Sequence, residues 1–331
     1  MSQRGVAVVI VNWHAEALLE AALSALERQT LAPRRVIVAD NGSDTELPLA
    51  RYTRGALSVI RMPGNKGFAA ANNRAVQEAA DCEWIALLNP DAIPQDDWLE
   101  RLLEATCRHP EISAFGSRQL MGADHSRLDG LGDVYHVSGA AWRDGHGGPA
   151  SDHPGHDGEI FAPCAAAALY RRDALLEAGG FDEDFFCYFE DVDLGFRLRL
   201  LGHRSRLVPE AVVYHLGGAT SGGRKSDFSV YHGQRNLVWS YFKNMPWPYF
   251  LLYLPQHLMF NLASVLLFIL RGQGGVILRA KWSALRGLPR MLGKRRLIQA
   301  HRRASARAVR AAMCAGWLAP YRRGLEAMTG E

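Results

Sequence analysis

Val6-Ala-Val-Val-Ile-Val11 is a continuous β-branched and aliphatic run bounded by polar residues, the form taken by a strand buried on both faces of a parallel sheet. Asn12-Trp13-His14 ends it, and Ala15 to Gln29 then sets Leu18, Leu19, Ala22, Leu23 and Leu26 at helical spacing. Arg35-Val-Ile-Val-Ala39 is a second such strand, finishing at Asp40-Asn41-Gly42-Ser43-Asp44, and the three together predict a βαβ unit. A third strand, Leu57 to Arg61, runs into Gly64-Asn65-Lys66-Gly67-Phe68. A helix is expected from Ala69 to Ala80, and Trp84-Ile-Ala-Leu-Leu88 is a fourth strand ending at Asn89-Pro90-Asp91. Strands and helices alternating at this period predict a doubly wound α/β domain, whose ligand lies beyond the carboxyl ends of the strands. Asp40 and Asp91 both stand at such ends.

From Phe115 to Pro163 the regularity fails. The segment is rich in Gly, Asp and His, among them His125, His136, His146, His153 and His156, and it reads as a meander over the site. His153-x-x-His156 has metal-ligand spacing, but its Pro, Gly and Asp neighbours supply no helix to align two imidazoles. Order returns with a strand at Ala165 to Tyr170, a helix at Arg172 to Ala178, a Gly179-Gly180 stop and a helix-compatible pattern from Phe181 to Gly202.

Charged residues make up 22% of the 331 residues and hydrophobic ones 48%, which excludes disordered, collagenous and disulfide-scaffold classes. The net charge of +4 conceals two opposite pieces. Residues 1–223 hold 20 Lys and Arg against 31 Asp and Glu, whereas residues 224–331 hold 18 against 3. So basic a segment calls for an anionic partner, either phosphate-rich membrane or nucleic acid. Pro246 to Leu270 is apolar and carries no charge apart from His257 when protonated, with Pro246, Pro248 and Pro255 expected to break its first half. A re-entrant or interface-lying segment is therefore favoured over a true span. Arg271 to Arg310 is basic throughout, with Trp282, Leu285, Leu288, Met291 and Leu292 as an apolar stripe. A basic amphipathic helix beside an apolar hairpin is the form of a monotopic anchor on anionic lipid. The expected division is a catalytic domain at 1–223 and a basic, partly apolar helical region at 224–331. The five cysteines have no CxxC spacing and read as reduced core or site-lining thiols. Residues 1–11 lack the form of a signal peptide, so membrane contact is expected from inside the cell.

Asp40 leads into a turn, where it can cap the following segment or accept from a ring N–H of a nucleotide base. Asn65, Gly67, Phe68 and Asn72 follow the third strand, where Gly permits close backbone approach and amides can bond ribose and phosphate oxygens. Asn89-Pro90-Asp91 presents a carboxylate as a hard cation needs it against a diphosphate, although an ordinary turn has the same residues. The densest chemistry lies in Phe185-Phe-Cys-Tyr-Phe-Glu-Asp-Val-Asp-Leu-Gly-Phe-Arg197. Glu190, Asp191 and Asp193 crowd like charges among aromatic side chains, which raises at least one carboxyl toward a general base. Arg197 shares a helical face with Asp193 and Glu190 and can hold one acid ionised. His215, at the end of Val208 to His215, suits metal or phosphate.

The order of these motifs resembles the inverting family 2 glycosyltransferases. It comprises Asn12-Trp13, Asp40-Asn-Gly-Ser-Asp44, Asn65-x-Gly-Phe-Ala-x-Ala-x-Asn73, Asn89-Pro-Asp91, Gly179-Gly-Phe-Asp-Glu-x-Phe-Phe-x-Tyr-Phe-Glu-Asp-Val-Asp-Leu-x-x-Arg197 and Val213-x-His215. It is most similar to the bacterial rhamnosyltransferase-like members that build cell-surface polysaccharide on a lipid carrier, and the likeness covers residues 6 to about 220. The resemblance implies a GT-A fold, a Rossmann-like, mostly parallel sheet, with a nucleotide-sugar donor and Mg2+ or Mn2+. It implies that Asn12, Asp40, Asn65, Gly67, Phe68, Asn72 and Asn89 bind the donor, with Asp40 reading the base. Asp91 and His215 would hold the metal, Asp191 would be the base with Glu190 beside it, and Asp193 and Arg197 would support them. Phe186, Tyr188 and Phe189 suit the apolar face of an acceptor sugar. The usual Asp-x-Asp is Asn89-Pro90-Asp91 here, so one carboxylate holds the cation and a weakly held metal is expected. The implied reaction moves a hexose, dTDP-L-rhamnose being favoured over UDP-sugars, onto a lipid-linked acceptor at the cytoplasmic face of the inner membrane, with anionic lipid and no nucleic acid as partner. A nucleotidyltransferase would need a Gly-rich, basic loop after the first strand, where Asn12-Trp13-His14-Ala15 stands. A nucleic-acid binder would have no reason to expose an apolar stretch within its basic region. A fold of this kind without activity would not need Asp40, Asp91, Asp191 and His215 together.

Overall fold

The computed structural model describes residues 5–153, 155–217 and 226–321. The expected domain boundary after Gly223 lies outside the described residues. In chain order the elements are β1 (Val6–Asn12), α1 (Glu16–Glu27), β2 (Arg35–Asp40), β3 (Ala56–Arg61), α2 (Phe68–Glu78), β4 (Trp84–Leu88), β5 (Ala92–Pro94) and α3 (Trp98–Arg108). Next come β6 (Ala114–Met121), β7 (Leu128–Gly130), β8 (Asp133–Tyr135), β9 (Ala141–Arg143), β10 (Glu159–Ile160), β11 (Ala167–Arg171) and α4 (Arg172–Glu177). The chain continues with α5 (Glu190–Leu200), β12 (Ser205–His215), α6 (Asp227–Asn244), α7 (Tyr249–Leu270), α8 (Gly274–Ala300) and α9 (Ala306–Ala311).

The main sheet runs β10-β12-β6-β11-β4-β1-β2-β3, with β5 beside β12 and β7 beside β6. Strands β3, β2, β1 and β4 are mutually parallel, as are β6 and β12, while β11 lies antiparallel to both β4 and β6. Side chains alternate faces along a strand. Val6, Val8 and Ile10 therefore pack with Leu19, Leu23, Trp84 and Trp98 in one core. Ala7 and Val9 pack with Ala69, Ala75 and Val76 in the other. Both faces of β1 are thus buried, which is why its sequence is unbroken by polar residues.

The aperiodic segment is more regular than its sequence suggests. Residues 115–163 are not a meander throughout: β6 occupies the middle of the sheet, and β7 to β10 follow it. β6 escapes a hydrophobic pattern because buried Ser117 and Gln119 interrupt it, Ser117 accepting from Trp98 Nε1 at 2.8 Å. The pattern read from Phe181 to Gly202 also narrows, because helix α5 begins only at Glu190. Pro255 does not break α7, which is one continuous helix of 22 residues in place of the expected hairpin. A proline removes one intrahelical hydrogen bond, and the remainder of α7 keeps its ladder. By length and composition α7 is long and apolar enough to cross a membrane, with a mean hydropathy of 1.5.

Helix α5 is buried between two sets of neighbours. Leu194 and Leu198 face the sheet core, while Val192, Phe196 and Leu200 pack with Tyr241 and Met245 of the α6 segment and Val309 of α9. Trp239 of α6, Ala284 and Met291 of α8 and Phe185 form a further cluster. The basic C-terminal helices are therefore packed directly on the acidic helix of the site.

Candidate active site

The register of β1 and β2 sets Asn12 opposite Asp40, so the strand-end turns open side by side at the carboxyl edge of the sheet. A cavity of about 400 Å³ lies there, lined among others by Trp13, Asn41, Asn65, Asp91, Glu190 and Asp191. Asn41 joins two of the turns: its Nδ2 donates to Asn65 Oδ1 at 3.0 Å and its Oδ1 accepts from Lys66 N at 2.9 Å. Gly67 and Phe68 also line the cavity. Gly67 has φ +88°, and a Cβ there would lie 2.6 Å from Phe186 atoms, so only glycine lets the turn and the Phe186 loop meet.

Several expected donor residues stand back from this space. Asp40 is buried, accepting from Arg61 Nη1 at 2.8 Å and from Ser43 N at 3.3 Å, and its neighbour Asn41 is the residue that reaches the cavity. Asn12 is buried and donates to Ser43 Oγ at 3.1 Å. Asn72 donates to Phe68 O at 2.9 Å within α2, so its amide serves the helix and does not line the cavity. Asn89 and Pro90 do line it.

Asp91 and His215 come together, as β12 ends beside the strand that follows Asp91. His215 Nε2 lies 3.4 Å from Asp91 Oδ1, and His215 Nδ1 shares a 2.7 Å hydrogen bond with Asp129 Oδ2. Arg143 pairs with the same Asp129 carboxylate. Burial alone would lower the His215 pKa, but the hydrogen bonds to Asp129 and Asp91 outweigh it and raise it. A carboxylate on one imidazole nitrogen fixes the tautomer and aims the other nitrogen, the usual support of a metal-bound histidine. Among the described residues no group of three or more His, Cys, Asp and Glu could hold a metal ion. Asp91 and His215 offer two donor side chains, so a cation there would need its remaining ligands from phosphate oxygens and water. Asp129, Asp133, Trp142 and Arg143 come from the aperiodic segment, and no spacing signal marks them in the sequence.

The third wall is the segment before α5. Phe186, Tyr188 and Phe189 have φ of 64°, 66° and 72°, left-handed values that cost a non-glycine residue roughly 1–3 kcal/mol each. All three line the cavity, as do Cys164, Cys187 and, from α6, Phe228 and Ser229. Burial pushes the Cys164 thiol up to about 12. Asp191 is half-buried at the first turn of α5, its Oδ2 accepting from Ala165 N at 3.1 Å and its Oδ1 from Val192 N at 2.8 Å. Glu190 is buried, and burial followed by the charge of Asp191 raises its carboxyl well above the usual range. Asp193 and Arg197 are not in the cavity. Arg197 Nε donates to Asp193 Oδ2 at 2.9 Å, and the same carboxylate meets Lys243 Nζ at 2.7 Å and Asn244 Nδ2 at 2.7 Å. Asp193 thus ties α5 to α6.

The glycosyltransferase like family 2 model matches residues 3–241. The chain is 29% identical over 252 residues, 68% of its length and 80% of the relative's, to an N-acetylglucosaminyl-diphospho-decaprenol L-rhamnosyltransferase of Mycobacterium tuberculosis. It is 28% identical over 219 residues, 63% of its length and 66% of the relative's, to the O-antigen chain rhamnosyltransferase RfbN of Salmonella typhimurium. Among solved structures it is similar to the mannosyltransferase PcManGT of Pyrobaculum calidifontis, in complex with GDP-Man and Mn2+, with a TM-score of 0.53 and 18% identity over 97% of this chain and 79% of that one. The mixed sheet with its mostly parallel N-terminal half is the GT-A fold of such neighbours. By the extent of that family match and the fold that accompanies it, the chain belongs to glycosyltransferase family 2 and is a glycosyltransferase.

Proposed function

We propose that this glycosyltransferase inverts configuration and moves L-rhamnose from a dTDP-linked donor onto a lipid-linked saccharide. The observation that carries the reading is a single cavity lined by both Asp191 and the Asp91 and His215 pair, a base and an anchor for the leaving group on one substrate. The sugar and the lipid-linked acceptor are supported by the name of the mycobacterial relative.

In this mechanism Asp191 takes the proton of an acceptor hydroxyl, and the freed oxygen attacks the anomeric carbon from the face opposite the nucleoside diphosphate. One displacement inverts the centre. The amide of Ala165 and that of Val192 hold the Asp191 carboxylate in place, and the rings of Phe186 and Tyr188 receive the apolar face of the acceptor sugar. Asp91 and His215 would hold Mg2+ or Mn2+, a cofactor supported by the Mn2+ named with PcManGT; when bound, it neutralises the charge that gathers on the departing diphosphate.

The same reading puts the protein on a membrane surface. Leu251, Leu258, Leu262 and Leu266 of α7 and Leu278, Trp282 and Leu285 of α8 are exposed, while Gln256 and His257 face inward, His257 bonding Ser138 O at 2.7 Å. A helix docked on protein by one side and apolar on the other suits lying in the interface.

Asp191→Asn is expected to abolish rhamnosyl transfer, measured with dTDP-L-rhamnose and polyprenyl-diphospho-N-acetylglucosamine, with dTDP affinity by calorimetry within about twofold of the wild type. Transfer at more than about a tenth of the wild-type rate would remove Asp191 from the role of base.

A further inference from the structure

The three left-handed residues ahead of α5 are aromatic where glycine would fit without strain. All three residues line the cavity, so the sequence keeps aromatic residues there and something else must hold the backbone. That something lies on α6. Asn236 is fully buried, and its Nδ2 sits 2.9 Å from Phe185 O, 3.0 Å from Cys187 O and 2.7 Å from Tyr188 O. Three carbonyl oxygens curled toward one point repel one another unless a donor stands between them, and the Asn236 amide is that donor. Its orientation is fixed in turn, because Asn236 Oδ1 accepts from Arg235 Nε at 2.9 Å. Arg235 also donates through Nη2 to Phe185 O at 2.9 Å and Asp184 O at 3.2 Å. From the opposite side Ala69 N donates to Phe186 O at 3.3 Å, and two turns of α6 earlier Phe228 and Ser229 line the cavity themselves.

We propose that Asn236, oriented by Arg235, is the positioning residue of the acceptor face, holding the 185–189 backbone in its left-handed course so that Phe186, Tyr188 and Asp191 address one acceptor together. This rests on the reading of the cavity as the site of glycosyl transfer. Asn236 touches no reacting atom; it acts through the loop. The hydrogen bonds of Asn236 go to this loop and to Arg235, and none of those described goes to Asn41, Asn65 or Asp91 on the donor side, so its loss falls on the acceptor more than on the donor.

The test compares Asn236→Ala and the isosteric Asn236→Asp, which replaces the donor by an oxygen, with Lys281→Met as control. Lys281 bonds Gln234 and Asn261 between α6, α7 and α8 and leaves the loop untouched. Amide hydrogen exchange over residues 183–193 is expected to quicken about tenfold in both Asn236 variants and to be unchanged in Lys281→Met. With dTDP-L-rhamnose and polyprenyl-diphospho-N-acetylglucosamine, the acceptor KM rises about tenfold and kcat falls, while dTDP affinity stays within about twofold. Unchanged exchange in this segment overturns the proposal, as does a loss of dTDP affinity equal to the loss in acceptor kinetics. Should Asn236→Ala be insoluble, Arg235→Lys, which frees the Asn236 amide to turn, is expected to give the same separation at smaller amplitude, and equal losses on both substrates overturn the proposal there too. A wild-type protein inert toward dTDP-L-rhamnose overturns the donor reading, and hydrogen exchange then decides on Asn236 by itself.

Discussion

Burial pushes the Glu190 carboxyl well above its ordinary range, and Asp191 beside it pushes the same way. In the folded chain Glu190 keeps its proton at a pH where the unfolded chain has lost it, so its contribution to stability is complete below the unfolded pKa and is lost as pH rises toward the folded one. Glu190→Gln removes that dependence. The variant is expected to unfold near the wild-type temperature at pH below the ordinary carboxylate range and to gain on the wild type as pH rises above it, by calorimetric scans. Asp129 permits a second prediction. Asp129→Asn keeps the shape but weakens the hold on His215 Nδ1, and Mn2+ affinity in the presence of dTDP, read by electron paramagnetic resonance, is expected to fall about 10- to 100-fold. Asp191, Asp91 and His215 were legible because each sits at a fixed place in a recurring motif. Asp129 and Arg143 were not, since they reach His215 from short strands in a segment without period and only the folded register brings them there. Asp40 was visible as a strand-end acid, but its partner Arg61 depends on β2 and β3 lying side by side.

At the scale of elements, α5 and α6 are bound through charge buried between them. Lys243 is almost wholly buried, 2.5 Å from Asp182 Oδ2 and 2.7 Å from Asp193 Oδ1, and Lys294 of α8 meets the other Asp182 oxygen. Burial works to raise the Asp182 carboxyl, but Lys243 and Lys294 outweigh it and hold it far below the usual range. Lys243→Met leaves two buried carboxylates short of a cation and is expected to cost about 3–5 kcal/mol in denaturant unfolding. The strands β1 to β4 and helix α2 were legible to within two residues, because their apolar periods are clean. β6 was not, because buried Ser117 and Gln119 interrupt its apolar pattern and the Trp98 indole that bonds Ser117 lies on a distant helix. In α7 the sequence reads a break at Pro255 where the helix continues, since packing outweighs one missing hydrogen bond.

For the molecule as a whole, the acidic piece and the basic piece are packed on each other, and the exposed leucines of α8 alternate with its own cations. Arg279 and Arg286 are exposed beside Leu278 and Leu285. At about 1 kcal/mol for each cation near an anionic surface, Arg279→Gln together with Arg286→Gln is expected to weaken sedimentation with phosphatidylglycerol vesicles by about 10- to 30-fold at low salt, with dTDP affinity unchanged. The charge division was legible from composition alone; that α6 belongs with the site was not, because its Asn236 and Lys243 serve loops and acids distant in sequence. The reversed strand β11 has a consequence for how the chain is made. It fills the gap between β4 and β6, yet it follows both in sequence, and the outer side of β6 waits longer still for Ser205–His215. A growing chain therefore leaves the ribosome with bare strand edges at the centre of its future sheet, open to pairing with other chains until Ala167–Arg171 arrives. Chaperone demand during synthesis is concentrated in that interval, and chains ended within it are the ones that will aggregate.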